Sequence, residues 1–140
     1  MVDPGITTCQ DEFVRRGEHS LSPGYVILGE DTRGGHAELL AVPARNILPM
    51  PKGWGFPEAA APLLVALTAW RMLIHRAELR AGESVLVIGA GGGVNSMAIQ
   101  LAKLVGARVY ALTSTEEKMM KARDLGADVV LNYSRDPQWS

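Results

Sequence analysis

The residues of clearest chemical meaning are Gly89, Ala90, Gly91, Gly92, Gly93 and Val94. Glycines at four of these six positions leave main-chain N–H groups uncovered. Such groups, set just before a helix, suit the oxygens of a pyrophosphate, because the helix N-terminus adds its partial positive charge. The chemistry expected here is binding rather than bond-making: a dinucleotide held by its phosphates. A glycine run also serves tight packing in a doubly wound domain that binds nothing, and that reading stands beside the first. Side chains suited to proton transfer are scarce. His19, His36 and His75 have no acid–base partner visible in the sequence and read as structural, so no catalytic residue is nominated.

A phosphate turn works only if a strand and a helix hold it in place. Ser84-Val85-Leu86-Val87-Ile88 supplies the strand, and Val94, Met97, Ala98, Leu101 and Val105 recur at helical spacing. Gly106 ends that helix, and Val109-Tyr110-Ala111-Leu112 forms the next strand. The unit then repeats: a helix over 114–125, Gly126 as its stop, and a third strand at Val129-Val130-Leu131. This alternation predicts an α/β fold with three parallel strands in the order 3-2-1, the first half of a Rossmann-type sheet. The second strand ends at Thr113 without the carboxylate that usually binds the ribose hydroxyls of NAD. Ser114-Thr115-Glu116-Glu117 also reads as a capping box, with Ser114 as the cap and Glu117 bonding back. Without its second half, the sheet's first strand would expose an unpaired edge, a liability for self-association.

The residues before this unit are of another kind. Strands are expected over 24–29 and 36–42, with a third through Asn46-Ile47-Leu48-Pro49. Pro57 opens a helical stretch, Pro62 kinks or restarts it, and the helix runs on toward Arg76. Met97, Met119, Met120, Trp54 and Trp70 read as packing residues.

Bulk properties narrow the class. The 140 residues carry 14 Lys and Arg against 15 Asp and Glu, a net charge of −1, so no nucleic acid partner is expected. The apolar run from Ala59 to Trp70 falls short of the roughly 20 residues of a membrane span, and no secretory signal is visible at the N-terminus, so no membrane partner is expected. A single cysteine, Cys9, excludes an internal disulfide and fits a cytoplasmic setting.

Several stretches recur in a fixed order: Asp3-Pro4-Gly5-Ile6, Gly35-His36-Ala37-Glu38, Val42-Pro43, Ala59-Ala60-Ala61-Pro62, Leu67-Thr68-Ala69-Trp70, Gly82-Glu83-Ser84-Val85-Leu86-Val87, Gly91-Gly92-Gly93-Val94, Ala98-Ile99-Gln100-Leu101-Ala102-Lys103 and Leu125-Gly126-Ala127-Asp128. In these the chain resembles the medium-chain dehydrogenase/reductase superfamily, in particular its alcohol dehydrogenase and quinone oxidoreductase branches. The resemblance implies a β-rich remnant of a GroES-like catalytic domain over 1–56 and the N-terminal half of a Rossmann domain over 57–140. It implies an oxidoreductase passing hydride between NAD(P)H and a small carbonyl, alcohol or activated alkene. The alternative is a non-catalytic truncated fragment that keeps at most nucleotide binding. On the enzyme reading, the chain works with a missing partner segment or as a homo-oligomer.

The resemblance also implies site residues. The quinone oxidoreductase branch uses a lysine and a tyrosine around the extra phosphate of NADPH, and Lys118 and Tyr133 stand at comparable places. With Thr113 and Ser114 they would surround the adenosine ribose, which favours NADP over NAD. Lys118 also reads as an ordinary solvated helix lysine, with Glu116 and Glu117 opposing a nearby phosphate. Thr68 would reach the nicotinamide end, or else bond within its own helix. Asn95 stands where the family's turn has its last glycine, and would either crowd the strand–helix contact or cap the helix. Zinc is not expected. Leu64 takes the position of the third catalytic ligand, and Thr8, Asp11, Val14 and Ser22 take those of the four-cysteine lobe. A makeshift site from Cys9, Asp11, Glu12 and His19 matches no known ligand spacing.

Overall fold

Short-range turns and one parallel sheet divide the work of this fold. The computed structural model describes residues 1–135 and Trp139 and separates into two units, Met1–Leu64 and Val65–Ser140.

In the first unit, β1 (Gly5–Thr7) pairs antiparallel with β2 (Tyr25–Ile27), Ile6 facing Val26. Gly5 lies under the Tyr25 ring, where any Cβ would collide with it. Between the strands run a one-turn helix, α1 (Glu12–Arg15), and a 3-10 turn at His19–Leu21. Asp11 caps α1 by accepting the Val14 N–H at 2.9 Å. Buried Asn46 donates its amide to the carbonyls of Asp3 and Gly5, which ties the end of the unit back to its beginning.

Two strand expectations for this unit are corrected. Residues 36–42 are irregular rather than extended, and no ladder partner lies beside them among the described residues; Leu39 is 91% exposed. The third strand reduces to a 3-10 turn at Ala44–Asn46 followed by a single bridge between Val2 and Ile47. Apolar residues alone do not make a strand where no neighbouring backbone offers hydrogen bonds.

Next comes a helical run. α2 (Phe56–Ala60) starts with Pro57 in its first turn, and α3 (Pro62–Trp70) restarts at the second proline. A π turn over Arg71–Arg76 then closes with Ala77 N–H on the Met72 carbonyl at 2.9 Å. The combined run Phe56–Arg76 is long and apolar enough to cross a bilayer by length and composition, which the shorter sequence stretch is not. Its Ala69 and Leu73 sit in the same apolar cluster as Val87 and Ile99, whereas Phe56, Leu64, Leu67, Trp70 and Met72 are exposed.

The second unit is the predicted α/β repeat. β3 (Ser84–Ile88), β4 (Arg108–Thr113) and β5 (Val129–Asn132) are parallel in the order β3-β4-β5, with Val85 beside Val109 and Ala111 beside Val130. α4 (Gly93–Val105) and α5 (Glu116–Asp124) make the crossovers. Gly106 ends α4 in the left-handed region at φ +89, which a side chain would strain. Val87, Val109, Ala111 and Val130 share one sheet face and pack with Ile99 and Ala102 of α4 and Met119 and Ala122 of α5. On the opposite face Leu86, Ile88 and Leu131 are exposed, and the outer edge of β3 has no strand neighbour among the described residues. The Asp128 carboxylate accepts the Val109 N–H at 2.7 Å and the Lys103 ammonium at 2.9 Å, and these bonds hold its pKa below the usual carboxylate range.

Candidate functional site

The glycine turn hangs from the neighbouring strand. Gly89 takes φ +79, so that its N–H and that of Ala90 both reach the Leu112 carbonyl of β4, at 2.9 and 3.0 Å. Gly92 N–H closes on the Gly89 carbonyl at 3.2 Å and Gly92 then begins α4, with no side chain capping the helix. The first acceptor inside α4 is the Gly92 carbonyl, taken by Ser96 N–H at 2.9 Å. By helix geometry the N–H groups of Gly93, Val94 and Asn95 therefore have no intrahelical partner. Gly91, Gly92 and Gly93 are exposed, so an anion could approach this backbone directly.

β4 ends at Thr113, which is buried, and its carbonyl accepts the Tyr133 N–H at 3.0 Å. That bond places Tyr133 beside the end of β4, next to half-buried Ser114. The capping box does not form as expected. Thr115, not Ser114, caps α5, its hydroxyl accepting the Lys118 N–H at 3.3 Å. β4 runs on through Thr113, and Thr115, in the extended conformation of a cap, directly precedes α5. Glu117 turns outward to Lys121 at 2.6 Å, and that bond lowers its pKa. Glu116 pairs with Arg135 at 2.6 Å.

Both acids flanking Lys118 thus have other partners, while Lys118 has no ion pair among the described residues. Its side chain lies across the turn. A Cβ added to Gly91 would stand 2.9 Å from Lys118 Cδ and 3.0 Å from Cε. A side chain at that spot would push the lysine stem aside. The structure thus brings together Gly89 to Val94, Thr113, Ser114, Lys118 and Tyr133 at the C-terminal ends of three parallel strands. Thr68 is on the exposed side of α3, one turn beyond Val65, whose Cγ1 comes within 3.2 Å of where a Cβ on Gly93 would be. It already has a partner within the fold.

Asn95 neither crowds the strand–helix contact nor caps α4. Its Nδ2 donates to the carbonyls of Ile88 and Gly89, both at 2.8 Å. The sequence shows only an amide where a glycine was expected. That two strand-end carbonyls face it depends on the positive φ of Gly89, which no periodicity reveals.

Asp11 and Ser22, at two of the four positions where zinc-containing relatives would carry cysteines, lie in a hydrogen-bonded cluster. Asp11 Oδ2 accepts the Ser22 hydroxyl at 2.5 Å and the Cys9 thiol at 3.1 Å, and Ser22 Oγ accepts the Gly24 N–H at 3.1 Å. Among the described residues no group of three or more His, Cys, Asp and Glu could hold a metal ion. Chiefly through Ser22 and the Val14 N–H, the Asp11 carboxyl is held down to about 2, from 3.8. A carboxyl lowered on folding adds stability above its unfolded value and loses it as the pH falls through the folded one. The melting temperature of the parent chain should therefore drop between about pH 4 and pH 2, where Asp11→Asn should change much less. Thermal melts of the two chains across that range test this; parallel curves would remove Asp11 from the acid transition.

Comparison with known proteins gives a consistent picture. A family model described as zinc-binding dehydrogenase matches residues 93–140. Crotonyl-CoA reductase from Streptomyces avermitilis is 38% identical over 119 residues, covering 83% of this chain and 27% of that protein. The crystal structure of an NAD-dependent alcohol dehydrogenase superposes with a TM-score of 0.92 at 45% identity, over 95% of this chain and 39% of the other. The quinone oxidoreductase of Thermus thermophilus, solved alone and with NADPH, superposes at 0.70 with 38% identity, over 81% of this chain and 37% of the other. The chain thus spans well under half the length of these proteins.

Proposed function

The chain belongs to the medium-chain dehydrogenase/reductase superfamily, a family of NAD(P)-dependent oxidoreductases, and on that premise we propose that its glycine turn holds a nicotinamide dinucleotide, NADPH in preference to NADH. The observation that carries this reading is Lys118, an exposed cation whose stem rests on Gly91 while Glu116 and Glu117 are bound elsewhere. The residues fit the group. Open N–H donors at Gly93 and Val94 suit the pyrophosphate, Thr113, Ser114 and Tyr133 flank the ribose, and Lys118 supplies a cation for a phosphate on it. Thr68 faces the nicotinamide end in this reading. A bound nicotinamide would give hydride to a small carbonyl or activated alkene, or take it from a small alcohol. The chain's own residues bind and orient, and no side chain among them is assigned to proton transfer. Catalysis is proposed to be independent of zinc, because leucine at position 64 offers no ligand and Asp11 is committed to Ser22, Cys9 and the Val14 N–H.

A fluorescence titration of the purified chain with NADPH and, in parallel, NADH tests this reading. Saturable binding with NADPH tighter is expected. Tighter NADH would overturn the cofactor preference, and no binding of either by a folded chain would overturn the site.

A second reading is favoured by the bare edge of β3 and the exposed face of Leu86, Ile88 and Leu131. On it, the chain is a non-catalytic fragment with at most nucleotide affinity, or it works only once further chain covers that face. A second copy or a separate segment would serve. Reductase activity appearing only when such a segment is added back would separate these cases.

A further inference from the structure

Asn95 belongs to no expected ligand set, yet it makes two bonds at the most exacting point of the turn. The carbonyls of Ile88 and Gly89 stand at the C-terminal end of β3, where the chain turns into α4. Gly89 O already accepts from the Gly92 N–H at 3.2 Å, a long bond. Asn95 supplies a second donor to it at 2.8 Å and a donor to Ile88 O at the same distance. One carboxamide thus satisfies both carbonyls from the first turn of α4, linking the end of β3 to the start of the helix.

We propose that Asn95 is a positioning residue of the dinucleotide site, one that clamps the Ile88 and Gly89 carbonyls so that the turn presents its N–H groups to the pyrophosphate. The proposal rests on the reading of the turn as a dinucleotide site. Two physical effects follow from the clamp. Geometrically, Gly89 at φ +79 is the residue most free to relax, and two bonds through one side chain restrict the flanking peptide planes. Electrostatically, two carbonyl dipoles whose negative ends stand near the phosphates are covered by amide hydrogens, so fewer electron-rich oxygens oppose the anion. Asn95 acts on the pyrophosphate common to both nicotinamide cofactors. Its loss should weaken NADPH and NADH by the same factor, unlike a change at Lys118.

The test is a titration of the parent chain, Asn95→Ala and Asn95→Asp with NADPH and NADH, with melting temperatures measured alongside. Loss of two neutral hydrogen bonds should weaken both nucleotides by roughly ten-fold in Asn95→Ala. Asn95→Asp keeps the shape but turns an acceptor charge toward both carbonyls and the phosphates, and should weaken both by about a hundred-fold. Two-dimensional amide NMR supplies a readout that simple loss of stability would not move. Inorganic pyrophosphate should shift the Gly91, Gly92 and Gly93 amide signals of the parent chain and leave those of Asn95→Asp nearly still at the same concentration. Unchanged affinities in both variants, or a loss confined to one cofactor, would overturn the proposal while leaving the dinucleotide site standing. Failure of the folded parent chain to bind either nucleotide would overturn both.

Discussion

Replacing Lys118 with glutamate is expected to weaken NADPH binding about a hundred-fold and to change NADH binding by no more than a few-fold. A charge-assisted bond to phosphate contributes about 1.5–3 kcal/mol, and reversing the charge adds repulsion to its loss. Together these come to at least roughly 3 kcal/mol, or about a factor of a hundred in affinity. The prediction depends on Lys118 having no ion-pair partner among the described residues, because a lysine already paired would lose less. Lys118→Met, which keeps most of the stem lying on Gly91 and removes the charge, should reproduce most of the effect. Equal losses for NADPH and NADH would assign the lysine to the shared pyrophosphate, and no loss for either would make it a solvated surface residue. Fluorescence titration of the two variants with both nucleotides distinguishes these outcomes.

Truncating Ile99 to alanine is expected to cost the second unit about 2–5 kcal/mol, among the largest effects available to a single side chain here. Ile99 is fully buried on the inner side of α4, within the cluster that includes Val87, Val109, Ala111 and Val130. Leu86, Ile88 and Leu131 on the other face of the sheet are exposed, so they do little to compensate a cavity beneath Ile99. At about 4–8 °C per kcal/mol for a unit of this size, the melting temperature should fall by roughly 10 °C or more. Leu104→Ala on the same helix is the internal control, since Leu104 is 83% exposed and should shift stability by no more than about 0.5 kcal/mol. Comparable losses in both variants would mean that the inner face of α4 is not the core.

The second unit was legible in the sequence because its signals are local and reinforce one another. A β-branched run, a glycine turn, helical spacing and a left-handed glycine stop follow in succession, the strand–helix–stop pattern then repeats, and the parallel order follows from the short crossovers. The first unit was legible only in part: the stretch 24–29 contains β2, but its partner Gly5–Thr7 is three residues long and owes its existence to Tyr25–Ile27, far along the chain. At the site, residue types pointed to the turn and to Lys118, but not to how they meet. Ser114 is by type the better cap, yet β4 runs to Thr113 and the helix begins only after Thr115. The stem of Lys118 on Gly91 and the amide of Asn95 on two carbonyls are contacts across a turn, where sequence spacing says nothing about direction.

The lateral order of the sheet is also its order of synthesis. β3, β4 and β5 follow one another across the sheet as they do along the chain, each joined to the next by one crossover helix. Assembly can therefore proceed by addition at a single growing margin, with no strand waiting for a distant partner and no insertion between neighbours already paired. The glycine turn is hung on Leu112 early, the lysine arrives with α5, and the tyrosine comes last. A ribosome stalled shortly after β4 has cleared the exit tunnel would hold a phosphate cradle that has no means yet of telling one nicotinamide cofactor from the other.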